Sequence, residues 1–146
     1  MKPVLDAQQL DQLLTRAGWL DPAAKALWGN MTVSGMLFHC TLVNNRILAE
    51  KTARKPTLKQ RLLKPVVYLM TKLPQGVKTG NELLAPEPDA LDFEHELAAF
   101  KLAATRFAQQ QDAIQAAHPI FGPLNTWEWR RFAWLHLDHH LRQFSV

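Results

Sequence analysis

The sequence predicts an all-α protein whose helices pack as one four-helix bundle, and three observations carry that expectation. Apolar residues recur at spacings of three and four over long stretches, capping residues stand just ahead of those stretches, and β-branched alternation and hairpin dipeptides are missing. With 146 residues, 47% of them hydrophobic, the chain suits one core and a single domain over residues 1–146.

The first helix is expected over about Ala7 to Ala17. Asp6 is its N-cap, Gln9 completes a capping box, Leu5 staples against Leu10, and Gly18 supplies the stop. Trp19 to Gly29 reads as a connector punctuated by Pro22 and Gly29. Thr32 caps a second helix that runs to about Glu50. Val33, Met36, Leu37, Cys40, Val43 and Ile47 form its apolar stripe, with His39 on the edge of that stripe beside Met36 and Val43.

Residues 51 to 90 carry five prolines and two glycines and read as an irregular connection. A kinked helix is expected within it over about Leu58 to Thr71, and Leu84 to Asp89 is loop. A connection this long is often functional, such as a lid over a site. Phe93, Leu97, Phe100, Ala104, Phe107 and Ile114 then form a 4,3,4,3 seam interrupted at Gln111, which predicts a third long helix to near Ala117. His118 to Pro123 is a turn, because prolines cannot continue the helix and Gly122 permits the reversal. Asn125 caps the last helix, with Glu128 at the capping-box position and Leu124 opposite Trp129. Its wheel puts Trp129, Phe132, His136, His140 and Gln143 on an inward arc and Glu128, Arg131, Asp138 and Arg142 on the other side.

The spacing of four between His136 and His140 stacks two imidazoles on that inward arc. A buried histidine is usually a hydrogen-bonded core residue, yet two inward rings both need partners, and a divalent ion meets that need. If the second and last helices lie side by side, His39 completes a set of three neutral nitrogens that holds one ion and leaves a position open for water or substrate. His139 sits about 60° from His136 and about 100° from His140 on the wheel, so it is assigned a supporting or interhelical hydrogen-bonding role. His118 is expected to tie down its turn through a backbone hydrogen bond or to face substrate at the site's mouth, His95 to face solvent, and Trp129 to wall the pocket. Cys40, inside the apolar stripe, reads as a small hydrophobe.

One cysteine excludes an intrachain disulfide, and the opening Met-Lys-Pro-Val-Leu-Asp lacks the apolar run of a secretory signal, so a cytoplasmic protein without a transmembrane segment is expected. Residues 46 to 78 hold nine Lys or Arg against Glu50 alone, although the whole chain carries only +4. The segment reads first as a solvated connector. Nucleic-acid binding is disfavoured because no module signature accompanies the charge, while attachment to an anionic surface would fall steeply with salt.

At these residues the chain resembles the DinB/YfiT-like superfamily of metal-dependent bacterial proteins. The resemblance rests on His39 in the second helix and on His136, His140, Arg142 and Gln143 in the last. His118-Pro-Ile-Phe-Gly122 and His136-Leu-Asp-His-His-Leu-Arg-Gln-Phe144 look like an uncharacterised bacterial branch of it. The resemblance implies a four-helix bundle with a long crossover connection, and His39, His136 and His140 as ligands of zinc or nickel, with iron or copper as alternatives. It also implies a small-molecule substrate such as a low-molecular-weight thiol. The chain reads His140-Leu-Arg-Gln143 where the commoner ending is His-Arg-Gly-Gln.

Two functions follow. In the first, the ion makes a water or thiol nucleophilic near neutral pH for S-transfer or, next in preference, hydrolysis, with no catalytic base identified beyond His139 or His118. In the second, a noncatalytic bundle binds a small ligand or forms a homodimer, and any metal is structural or adventitious.

Overall fold

A computed structural model describes residues 3–52 and 54–146. The protein is mainly α-helical. Its helices are α1 (Ala7–Ala17), α2 (Val33–Ala49), α3 (Leu58–Leu63), α4 (Val66–Leu69), α5 (Phe93–Gln109) and α6 (Thr126–Gln143), with short 3-10 turns at Asn81–Leu83 and Pro88–Ala90.

The helix starts follow the N-caps read from the sequence, but the capping box expected of Gln9 is not made, because the Asp6 N–H goes to the Val4 carbonyl instead. Asp6 Oδ1 accepts the Gln9 N–H at 2.8 Å and Thr32 Oγ1 accepts that of Gly35 at 3.0 Å, each satisfying an amide that has no partner within the helix. At α6 the capping box is complete: Asn125 Oδ1 accepts from Glu128 N at 2.9 Å, and Glu128 Oε2 accepts from Asn125 N at 2.7 Å. Thr57 and Gln60 form a second box at α3.

The expected kinked helix is present as α3 and α4. Lys64 and Pro65 stay in right-handed helical geometry, so the two pieces follow each other without an unwound link, and the break falls at the proline, which has no N–H to donate.

The third long helix is shorter than its seam predicts. It stops at Gln109, and Ile114 stays in the core from a segment that belongs to no helix or strand. The Gln110 carbonyl, which would otherwise continue the helix, accepts from Arg130 Nη2 on α6 at 2.8 Å. Downstream stands a two-residue hairpin where none was expected. β1 (Ala117–His118) pairs antiparallel with β2 (Gly122–Pro123), with Ala117 opposite Pro123 and His118 opposite Gly122. Gly122, at φ 70°, supplies the left-handed residue.

α2 packs along α5, α1 against α5 and α6, and α6 also against α2. Leu13, Met36, Leu37, Phe100, Phe107, Leu137 and Leu141 fill the space between these helices. Fully burying a side chain of this size stabilises by about 1.5–3 kcal/mol before entropy is counted. No helix of the described residues is long and apolar enough to cross a membrane.

The wheel assigned one inward arc to α6, but the helix is enclosed on nearly every side. Glu128, Arg131 and Asp138, expected outward, are all buried. Asp138 lies between two arginines, with Arg16 Nη1 and Arg142 Nε each 2.8 Å from one of its oxygens. Glu128 meets Lys64 Nζ at 2.9 Å and Tyr68 Oη at 2.7 Å. Charges on α6 therefore find their partners on α1 and on the α3–α4 unit, as buried charges must.

Candidate metal centre

The side-by-side placement of α2 and α6 brings His39, His136 and His140 together. One ring nitrogen from each lies within 4.8 Å of the others, and His39 Nε2 stands 3.0 Å from His136 Nε2. The ring centroids are 5.0, 4.8 and 4.7 Å apart around the triangle, and all three side chains are buried. Among the described residues no fourth His, Cys, Asp or Glu joins the group.

Hydrogen bonds fix which nitrogen of His39 and of His140 faces inward. His39 Nδ1 is 3.0 Å from the Leu83 carbonyl, which can only accept, so Nδ1 carries the proton and Nε2 presents a lone pair. Gln143 Nε2 donates to the Trp28 carbonyl at 2.7 Å, which orients the amide so that Oε1 accepts from His140 Nδ1 at 2.9 Å. His140 Nε2 is then also unprotonated. Gly29 makes this orientation possible: its φ is 74°, and a Cβ there would lie 3.1 Å from Gln143 Nε2.

His136 has no such anchor, and its buried Nδ1 lacks a hydrogen-bond partner. A proton on Nε2 would serve His39 and orphan Nδ1 as an acceptor. A proton on Nδ1 would orphan a donor and point a lone pair at that of His39. Either tautomer leaves a polar atom unsatisfied, which carries a desolvation cost of about 1–3 kcal/mol. A divalent cation accepting three inward lone pairs removes the conflict. Nitrogens at about 2.1 Å from a tetrahedral zinc stand roughly 3.4 Å apart, a value between the 3.0 Å of the His39–His136 pair and the 4.8 Å that bounds the group.

The electrostatics suit neutral ligands. Burial lowers the pKa of all three histidines below the usual imidazole value. At His39 the Leu83 carbonyl partly opposes this, and at His136 the neighbouring imidazoles add to it. His140 is pushed down to about 3, by burial first and then by His39. Deprotonated rings at neutral pH are ready to bind an ion without first losing protons.

The other residues that the sequence singled out fall in an outer layer. Gln143 holds His140, as described. The His139 ring packs 5.3 Å from Trp28 and 5.2 Å from His140, and its pKa is lowered by burial first, then by Arg142, against the raising effect of its hydrogen bond to the Leu73 backbone. His118 Nδ1 accepts the Ile120 and Phe121 amides at 3.1 and 3.3 Å, and so ties down the hairpin turn. His95 is exposed. Cys40 is fully buried, and burial raises its thiol pKa, which keeps it an unreactive thiol.

His140 is also where the cluster meets a cavity of about 440 Å³. Trp28, Met31, Val77, Lys78 and His139 contribute to its walls. The expected wall residue Trp129 lies elsewhere: its Nε1 donates to the Ala116 carbonyl at 3.3 Å, and it backs Phe132, whose ring stacks 6.0 Å from His136. Trp28, Leu83 and Lys78 were not singled out for the site from the sequence. Leu83 and Trp28 act through backbone carbonyls, which leave no side-chain signature.

Burial also pushes His118 down to about 4. Its folded pKa lies below the unfolded value of about 6.5, so its contribution to stability is complete above that pH and is lost as pH falls toward 4. From this residue alone we expect a loss of roughly 2 kcal/mol between about pH 7 and pH 5 in metal-free protein. Urea midpoints of the parent protein and of His118→Gln at the two pH values isolate it, and an equal pH dependence in both would refute it.

No curated protein and no solved structure matches this chain. The family model described as "Protein of unknown function (DUF1569)" matches residues 2–146, and the protein with this triple-histidine cluster therefore belongs to that family.

Proposed function

We propose that this is a divalent-metal-binding protein of the DinB/YfiT-like type, a four-helix bundle of α1, α2, α5 and α6 with the α2-to-α5 segment as its long crossover. In this reading His39, His136 and His140 hold zinc or nickel and act on a small-molecule substrate. The observation that carries it is the convergence of buried imidazole nitrogens in which no tautomer satisfies His136. When bound, the ion supplies Lewis acidity, which brings the pKa of a small protic ligand toward neutrality.

The chain's own residues do the rest. Leu83 and Gln143 hold two rings in the ligating tautomer, Phe132 and Trp129 keep water from the far side, and the cavity at His140 admits substrate. Three protein ligands with no fourth among the described residues favour a centre that does chemistry over one that only braces the fold. Transfer of a low-molecular-weight thiol is the preferred reaction and hydrolysis the next. The noncatalytic alternative draws on one observation: among the described residues no carboxylate lines the cavity, and Asp138 is held by two arginines rather than free to act as a base.

Titration of metal-free protein with zinc or nickel is expected to reach one ion per chain; failure to bind stoichiometrically overturns the reading. Gln143→Leu should weaken that binding by about 10–100-fold while leaving the helical content unchanged, because it removes the acceptor that fixes His140. Competition with a chromophoric chelator measures the difference, and unaltered affinity would remove Gln143 from this role.

A further inference from the structure

The α3–α4 unit has two apolar faces, and the core uses only one. Val67 is fully buried, with Leu63 and Met70 partly buried beside it. Leu58, Leu62, Val66 and Leu69 follow at helical spacings of 4, 4 and 3 on the opposite side. Leu58 is 74% exposed, Leu62 72% and Leu69 72%. Tyr68 and Trp127, also exposed, stack at 5.2 Å beside this unit, and exposed Ile120 lies in the turn to which Gln60 Nε2 donates at the Pro119 carbonyl. Most of the exposed large hydrophobic side chains among the described residues therefore gather around one short, kinked helix. A grouping of this kind marks an interaction surface, whereas scattered ones do not.

The charge around it selects the partner. Residues 51 to 81 contain eight Lys or Arg and no Asp or Glu. Lys55, Lys59, Arg61 and Lys72 are exposed, while Lys64 is paired with Glu128. Two copies of this face would bring like charges together, which argues against self-association. An apolar stripe flanked by long cationic side chains, with a Tyr–Trp pair beside it, matches the interface of an anionic bilayer. There the aliphatic groups enter the acyl boundary, the aromatic pair sits at headgroup level, and Lys and Arg reach the phosphates.

We propose that the α3–α4 face docks the protein peripherally on anionic lipid membranes, through Leu58, Leu62, Val66 and Leu69 together with Lys55, Lys59, Arg61 and Lys72. Neither element suffices alone, since a short apolar stripe anchors weakly and a charge patch is screened by salt. The histidine centre plays no part in this inference.

The test is co-sedimentation of the intact protein with vesicles of phosphatidylcholine, with and without phosphatidylglycerol. Binding is expected only when phosphatidylglycerol is present. Leu58→Ser/Leu62→Ser and Lys59→Glu/Arg61→Glu should each weaken it at least about tenfold, because each removes one of the two required terms. Leu102→Ser, an exposed residue on α5, should leave it unchanged. Circular dichroism is expected to be the same for all variants, as the altered side chains lie outside the core. Failure to pellet with anionic vesicles, or binding indifferent to the leucine pair, overturns the proposal. So does a lipid-free dimer that the leucine substitutions dissociate, or equal capture by polyglutamate with and without those leucines, which would assign the face to a second copy or an acidic protein.

Discussion

Replacing His39 or His136 with alanine is expected to abolish stoichiometric zinc or nickel binding, with affinity falling at least about a hundredfold in each case. A centre built from three protein ligands loses a third of its donors with either change, and the two that remain must then be completed by solvent. The two substitutions differ in what they do to the metal-free fold. His39→Ala leaves the Leu83 carbonyl without its donor, so it should also lower stability. His136→Ala removes the one ring of the three whose buried nitrogen has no partner, so the metal-free protein should tolerate it better. Isothermal titration gives the affinities and urea unfolding the stabilities. Full metal retention in both variants would eliminate the site, whatever happened to the fold.

The second large effect is expected far from the histidines. Arg131 is 1% exposed, and no carboxylate among the described residues is paired with it. Its guanidinium donates to the carbonyls of Pro3 and Met70 and lies 5.6 Å from the centroid of the Trp134 ring. One side chain of α6 thus pins the segment leading into α1 and the end of α4. Arg131→Ala would leave two partly buried acceptors unmet and open a void, at a cost of about 2–5 kcal/mol. Arg131→Met keeps most of the volume and should cost less, so the pair separates packing from hydrogen bonding. The comparison is read from urea midpoints at constant pH. An alanine variant as stable as the parent protein would show that these contacts contribute nothing.

Much of the helical framework was legible because helix starts are local. Asp6, Thr32 and Asn125 cap through their own side chains onto amides three residues ahead, and that geometry can be read from spacing alone. The far end of α5 was not legible, because its stop involves Arg130, twenty residues away, taking the Gln110 carbonyl. The outward assignment of Asp138 and Arg131 failed for a related reason. A helical wheel assumes one wet face, and α6 is surrounded by α1, α2, α4 and α5. The His39–His136–His140 grouping was reached by requiring two stacked rings to find a partner on another helix. The anchors that fix their tautomers were not, since Leu83 lies in a segment without periodicity and contributes only backbone.

The Leu83 carbonyl has a consequence for how the molecule behaves as a whole. It ties the ring of His39 to the long segment between α2 and α5, and the same segment supplies Val77, Lys78 and Leu84 to the cavity wall. With an ion held by the three histidines as proposed, its affinity and the order of this segment would be thermodynamically linked, and linkage works in both directions. Whatever holds the segment in place would then tighten the ion, and loading zinc should slow amide hydrogen exchange around residues 81–84 more than in α5. Cargo entering the cavity would be felt at the imidazoles even without touching them.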